Sequence, residues 1–280
     1  MVSATRRKLI WSCHLRACGH RWHGQIVKQQ LNIRDFRFPR SEYWFYLKGL
    51  WCERGPKAIY KQFQKHLRRP FSRAIIERFS AAERGIGLEI GVGARTIAPV
   101  SRTLLADGYE AHGRDKSIAQ AYFPAAEIPF ASATFDFILS EHTLEHIGNV
   151  LRALTEWIRV LKPGGHLILF LPHKERTNDR LRERTTLEHL LQDFTNNVPD
   201  DDTTHVDEWI SNVTAAGGIP EHYRHVAKED LASTGSIHHH VWVGADMKEV
   251  FEYLNMEVVL CEELVSDRTD SFAVVGRKTA

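Results

Sequence analysis

The stretch Gly87-Leu88-Glu89-Ile90-Gly91-Val92-Gly93-Ala94-Arg95 constrains this chain more than any other, because it reads as a buried strand broken by a glycine turn. Ile86, Leu88 and Ile90 carry the strand. Gly91 and Gly93 permit a tight turn and let the backbone approach a ligand closely. Thr96 is placed to cap a helix running to about Leu105, with Pro99 tolerated in its first turn. The dinucleotide-binding pattern Gly-x-Gly-x-x-Gly fails at its third glycine, where Thr96 stands, and Glu89 puts a carboxylate at the strand tip. A pyrophosphate would be repelled there and an ammonium held. After the run Tyr109 to Gly113, which reads as the second strand, Asp115 follows.

Glu89 followed by Gly91-Val92-Gly93 resembles motif I of the class I S-adenosylmethionine-dependent methyltransferases. Ile128-Pro129-Phe130, Phe135 to Ser140, Leu144-Glu145-His146-Ile147 and Arg159 to Leu169 resemble the later motifs of that family, in the family's order. The resemblance spans roughly residues 85 to 172. It implies an α/β fold: a Rossmann-like seven-stranded, mostly parallel sheet with helices on both faces, plus an N-terminal helical extension and a lid insertion after strand five. It also implies S-adenosylmethionine as cofactor, bound by Glu89, Gly91 and Gly93. Asp115 is then the acid that grips the ribose diol from the end of the second strand. Strand four, Phe135 to Ser140, delivers Glu141 and His142 to the ligand edge. Glu127 is the available carboxylate near the adenine position, a residue or two out of register, with backbone contacts as the substitute.

With 280 residues and 43% hydrophobic composition, one catalytic domain with additions is expected. Residues 1–80 form a basic, aromatic-rich helical extension and 81–280 the cofactor-binding domain, with 174–243 as the substrate lid. The net charge of +2 hides an asymmetry: residues 1–80 carry 18 Lys+Arg against 4 Asp+Glu, and the remaining 200 carry 19 against 31. Such a cationic segment docks on its own acidic remainder or on a polyanion. Residues 42–51 are densely aromatic, and Lys57 to Arg69 reads as a basic amphipathic helix with Ile59, Phe63 and Leu67 on one face. A helical cap packed on the main domain is the favoured reading; peripheral contact of residues 41–69 with an anionic membrane is the alternative. Cys13, His14, Cys18, His20 and His23 match no zinc module and read as part of a basic helix. No signal peptide, membrane span or disulfide framework is apparent, so a cytoplasmic location is expected.

Downstream, Asn149 to Leu161 reads as a helix stopped by Lys162-Pro163-Gly164-Gly165, and the next strand ends at His173. Helices are expected from Thr185 to Phe194 and Thr204 to Val213, and a strand or pocket wall from Ile237 to Val243. A helix from Asp246 to Asn255 and two closing strands, Met256 to Val265 and Ser271 to Arg277, complete the chain. Arg184 to Leu190 and His240-Val241-Trp242 are similar to a methyltransferase subgroup that accompanies glycan-assembly enzymes, which implies a small-molecule, sugar or glycan hydroxyl as acceptor. Methyl transfer from a sulfonium is an in-line displacement needing alignment and a base. His173 ranks first for that role, followed by His142 and His239 or His240. No metal site is assigned. A divalent ion held among His189, Asp193, His205, Asp207 and residues 238–240 is a disfavoured variant, and His142 with His146 reads as structural. The rival functions are another S-adenosylmethionine chemistry, such as cyclisation of the cofactor, and nucleic-acid methylation through the basic N-terminus, which no recognisable RNA-binding module supports.

Overall fold

A computed structural model describes residues 30–39, 55–80, 85–112, 115–219, 226–227, 230–231 and 237–279. The cysteine and histidine cluster at residues 13–23 and the aromatic run 42–51 lie outside the described residues. The elements are α1 (Pro56–Leu67), α2 (Pro70–Phe79), β1 (Gly87–Ile90), β2 (Thr103–Asp107), β3 (Ala111–His112), β4 (Asp115–Lys116), β5 (Ala121–Tyr122), β6 (Phe135–Glu141), α3 (Val150–Val160), β7 (Leu161–Pro172), α4 (Leu187–Asn196), α5 (Val206–Ala216), α6 (Gly244–Tyr253), β8 (Met256–Glu262) and β9 (Ser271–Lys278). Seven strands form one sheet in the order β5-β2-β1-β6-β7-β9-β8. All neighbours pair parallel up to β7, and β9 runs antiparallel to both β7 and β8. This is the expected Rossmann-like sheet, with its direction of winding reversing between β1 and β6. Open sheets bind ligands at that reversal, beyond the carboxyl ends of the strands.

The central strands are apolar almost throughout because both faces are covered. On one face Leu154 and Trp157 of α3 and Met247, Val250 and Phe251 of α6 share a core with Leu88, Ile138, Leu167 and Val274. On the other, Ile75, Ile76 and Phe79 of α2 pack with Phe137, Leu139, Ile168 and Val275. Each such buried side chain contributes about 1.5–3 kcal/mol of hydrophobic transfer, so α2 is part of the sheet's cover. α1 also docks, but not with the face its apolar spacing suggests. Phe63 and Leu67 are 58% and 61% exposed, while Gln62 and, between α1 and α2, Arg69 are buried. The polar side of α1 turns inward because the glycine turn beneath it offers carbonyls and a carboxylate rather than an apolar surface.

The helix expected from Thr96 to Leu105 is absent, and the second strand is not Tyr109 to Gly113. The crossover from β1 to β2 takes only residues 91–102, and Thr103 to Asp107 pair parallel with β1, Gly87 opposite Thr103 and Ile90 opposite Ala106. The Thr96 hydroxyl, instead of capping a helix, donates to Glu89 and accepts from the Ala98 N–H at 2.8 Å. Asp115 lies in β4 of a separate two-stranded ribbon, opposite His112, so the acid that ends the second strand is Asp107.

Segment 174–243 builds its own small core from Val206, Trp209, Val213, Leu231 and Ile237, while Leu190 and Trp242 join the main core. Thr186 caps α4 as expected, its hydroxyl accepting from the His189 N–H at 3.2 Å. Among the described residues no helix is long and apolar enough to cross a membrane.

Candidate active site

The glycine turn sits where β1 stops. Gly91 has φ +75° and Gly93 φ +57°, both in the left-handed region that favours glycine. A Cβ on Gly91 would lie 2.0 Å from Thr143 Oγ1, whereas one on Gly93 would meet nothing within 4 Å. Gly91 is therefore required by packing against the residue beyond β6, and Gly93 leaves open space over the turn. The N–H groups of Gly91 and Val92 donate to the Ala106 carbonyl at 3.0 and 3.1 Å, pinning the turn to β2. Asp107 closes the other side: its carboxylate accepts from the Gly93 N–H at 2.9 Å, the Ser117 hydroxyl at 2.8 Å and the Tyr109 N–H at 3.2 Å. No spacing rule for a helical crossover points to Asp107; only the short crossover places it here.

Glu89 lies beneath the turn, 2% exposed, facing Thr96. Burial pushes its carboxyl up to about 8, a rise that the Thr96 hydrogen bond and the Lys65 charge only partly oppose. Gln62 of α1 clasps Thr96 by two bonds, donating to its carbonyl at 2.6 Å and accepting from its N–H at 3.2 Å. Glu141, at the end of β6, is surrounded by cations: Lys65 at 2.9 Å, Arg69 at 2.7 Å and Arg268. Burial would raise its carboxyl, but Lys65, Arg268 and Arg69 hold it well below the usual carboxylate range. Glu141 thus anchors α1 and the β8–β9 connection over the ligand edge. Glu127 does not reach the turn; it is half-exposed and pairs with Arg152 at 2.9 Å. A cavity of about 490 Å³ lies beside it, lined by Phe123, Pro129, Arg152 and Phe194 and touching neither glycine.

The expected histidines are brought to this edge in unequal states. His142 has φ +53° and its Nε2 lies 2.7 Å from Ser271 Oγ; burial, aided by Arg268, holds its pKa well below the usual value. His173 is occupied at both nitrogens: Nδ1 accepts from the Glu175 N–H at 3.2 Å and Nε2 lies 3.3 Å from Glu263. Burial lowers its pKa too. His240 is 1% exposed, stacks on Trp242 and is held neutral by burial. His142 and His173 each have ring nitrogens set against neighbouring groups, and His240 Nε2 lies 3.2 Å from the Gly148 carbonyl.

His238 is different. Its Nδ1 lies 2.6 Å from Asp179 Oδ2, and Asp179 is fixed in turn by Arg182 at 3.1 Å. Burial tends to lower the His238 pKa, but the Asp179 hydrogen bond and charge raise it overall. Burial likewise opposes ionisation of Asp179, yet His238 and Arg182 bring its carboxyl down to about 2. The ring of His238 contacts that of His146 edge-on, with centroids 4.9 Å apart. His146 and His142 approach the fully buried carboxylate of Glu145 at 3.8 and 3.6 Å. Both Glu145 oxygens have no hydrogen-bond partner among the described residues, and burial pushes that carboxyl up to about 7. Glu145 and Thr143 belong to the same turn, so this cluster adjoins the residue packed on Gly91. Two groups of described side chains have donor atoms within 4.8 Å of one another, close enough for a cation: Glu145 with His146 and His238, and His189 with His205 and His240.

Residues 96–169 match a family model described as a methyltransferase domain. That stretch is 74 of the chain's 280 residues. No curated protein matches it. Among solved structures, an S-adenosylmethionine-dependent methyltransferase from Thermotoga maritima shares 17% identity, with 84% of this chain and 100% of that chain covered and a TM-score of 0.43. One from Aquifex aeolicus shares 14% over 79% of this chain and 96% of its own (TM-score 0.43). One from Mesorhizobium loti shares 17% over 75% and 96% (TM-score 0.43). These similarities are distant, and the sheet order and glycine turn stand without them. The residues at this chain's turn fit the S-adenosylmethionine expected from the sequence. Gly93 leaves open space, and Asp107 presents a carboxylate at the end of β2.

Proposed function

We propose that this chain transfers a methyl group from S-adenosylmethionine to a hydroxyl of a small molecule or glycan, with His238 as the base. Gly91, Gly93 and Asp107 would hold the donor at the sheet reversal. When bound, it supplies an electrophilic methyl carbon. The observation that carries the reading is the Asp179–His238 pair, 2.6 Å apart, with His238 within 4.8 Å of Glu145 on the turn whose Thr143 packs against Gly91. Asp179 accepts the proton on Nδ1 and so presents the Nε2 lone pair. A hydroxyl placed at Nε2 would give up its proton as its oxygen attacks in line, which is the alignment and proton removal such a displacement requires. Arg182 keeps Asp179 ionised and also donates to the carbonyls of His238 at 2.7 Å and His239 at 3.0 Å, fixing the backbone on which the base rides. The glycan acceptor rests on the resemblance of residues 184–190 and 240–242 alone.

Incubation of the protein with methyl-labelled donor and panels of sugars and small hydroxyl compounds, scored by mass spectrometry, tests this. Methylated hydroxyl product from wild type, reduced about 10²–10⁴-fold in His238→Gln, is the expected result. Product formed equally by both proteins removes His238 from the chemistry.

A further inference from the structure

The second histidine group has no part in the reading above. His189 and Asp193 stand four residues apart on α4, so they project from one helix face. His205 is the residue before α5, and His240 follows the base His238 by two. The three imidazole rings form a nearly even triangle, with centroids 5.2, 5.6 and 5.6 Å apart, each pair edge-on at 66–69°. Asp193 Oδ2 closes the group, 3.3 Å from His189 Nε2. Donors at 2.0–2.2 Å from a tetrahedral ion stand about 3.3–3.5 Å from each other, so this separation already matches that of a coordination shell.

The bonding of the group is incomplete in a way that a cation would complete. His189 Nε2, Asp193 Oδ2 and His240 Nδ1 are buried atoms with no hydrogen-bond partner among the described residues. Asp193 is 8% and His240 1% exposed, so water does not make up the deficit cheaply. The groups behind the ligands are also in place. His205 Nδ1 lies 3.4 Å from Glu208 Oε2, and Glu208 is held by Arg182 at 3.1 Å. His240 Nε2 lies 3.2 Å from the Gly148 carbonyl. Carboxylates and carbonyls behind imidazoles fix ring orientation and raise ligand basicity at metal centres.

We infer that His189, Asp193, His205 and His240 form a binding site for a divalent transition metal, zinc being the ion that three imidazoles and a carboxylate suit best. The ion would tie α4, the start of α5 and the 237–242 segment together, and through that segment hold His238 in register with Asp179. The inference rests on side-chain geometry and is independent of methyl transfer.

The test is metal content by plasma mass spectrometry on the full chain, purified without a polyhistidine tag, before and after addition of Zn²⁺, together with the visible spectrum after Co²⁺ loading. Expected are about one tightly held zinc per chain, and one fewer in both His189→Gln and Asp193→Asn. Glu208→Gln should weaken Zn²⁺ affinity about 10–100-fold. Cys13→Ser with Cys18→Ser should retain the full content. The cobalt form should show tetrahedral bands without a thiolate charge-transfer band, a readout that needs no variant to fold. No uptake by wild type, full zinc in folded His189→Gln, or a thiolate band would each overturn the site.

Discussion

The glycine turn and the histidine-rich segment are built by opposite means. The turn uses short-range backbone geometry: two residues of positive φ, a strand on either side, and main-chain bonds to Ala106. The segment uses side chains drawn from distant parts of the chain, such as the Asp179–His238 pair and the His189–His205–His240 triangle. A backbone cradle recognises a cofactor shared by many enzymes, whereas a side-chain assembly can be rebuilt for each acceptor. Damage to the first should abolish donor binding, and damage to the second should spare it.

The largest effect belongs to Gly91→Trp, whose side chain would enter the space of Thr143. Binding of S-adenosylhomocysteine, measured calorimetrically, should be lost, with an added stability cost of at least about 1 kcal/mol from positive φ alone. Next is Glu141→Gln, which leaves Lys65, Arg69 and Arg268 facing a neutral amide. Unfolding in urea should show a loss of about 3 kcal/mol near neutral pH, less than for a fully enclosed pair because Lys65 and Arg268 remain partly exposed. The carboxyl of Glu141 is depressed when folded, so its contribution is present above its unfolded value of about 4.5 and fades as pH falls.

Glu89→Gln acts with the opposite sign. The folded protein keeps this carboxyl protonated up to about pH 8, whereas the unfolded chain ionises near 4.5, so its contribution is greatest below 4.5 and is lost as pH rises to 8. The amide should flatten that decline and raise stability at pH 8 by up to a few kcal/mol in denaturant titrations across pH. Glu127→Ala should change least. Its exposed pair with Arg152 is worth under about 1 kcal/mol, and cofactor affinity should not move. A large loss of affinity in that variant would extend the donor site to the Ile128 loop.

The same contrast decides what could be read from the amino acids. β1 and its turn, β6, α3 with its Asn149 cap, the stop at Lys162-Pro163-Gly164-Gly165 and the antiparallel closing pair were legible, because each is specified by local periodicity and turn residues. Thr103-Leu104-Leu105-Ala106-Asp107 was not. A short apolar run suits a helix end and a buried strand equally, and only parallel pairing with β1 selects the strand. That ambiguity displaced the second strand and drew attention to Asp115 in place of Asp107. The inward polar face of α1 was hidden for a related reason, since its partner Glu141 lies 72 and 76 residues from Arg69 and Lys65. Histidines were visible as a class, but which of them faces Asp179 is settled 59 residues away. His173 was favoured for standing at a strand end, and that same position ties both its nitrogens to neighbouring loops.

Calorimetric titration of S-adenosylhomocysteine into wild type, Gly91→Trp and His238→Gln, each checked for native circular dichroism, tests the central claim most directly. The division into a backbone donor site and a side-chain acceptor site predicts binding by wild type and His238→Gln with equal affinity and none by Gly91→Trp. No binding by folded wild type, or binding unaffected by Gly91→Trp, would contradict the placement of the donor on the glycine turn.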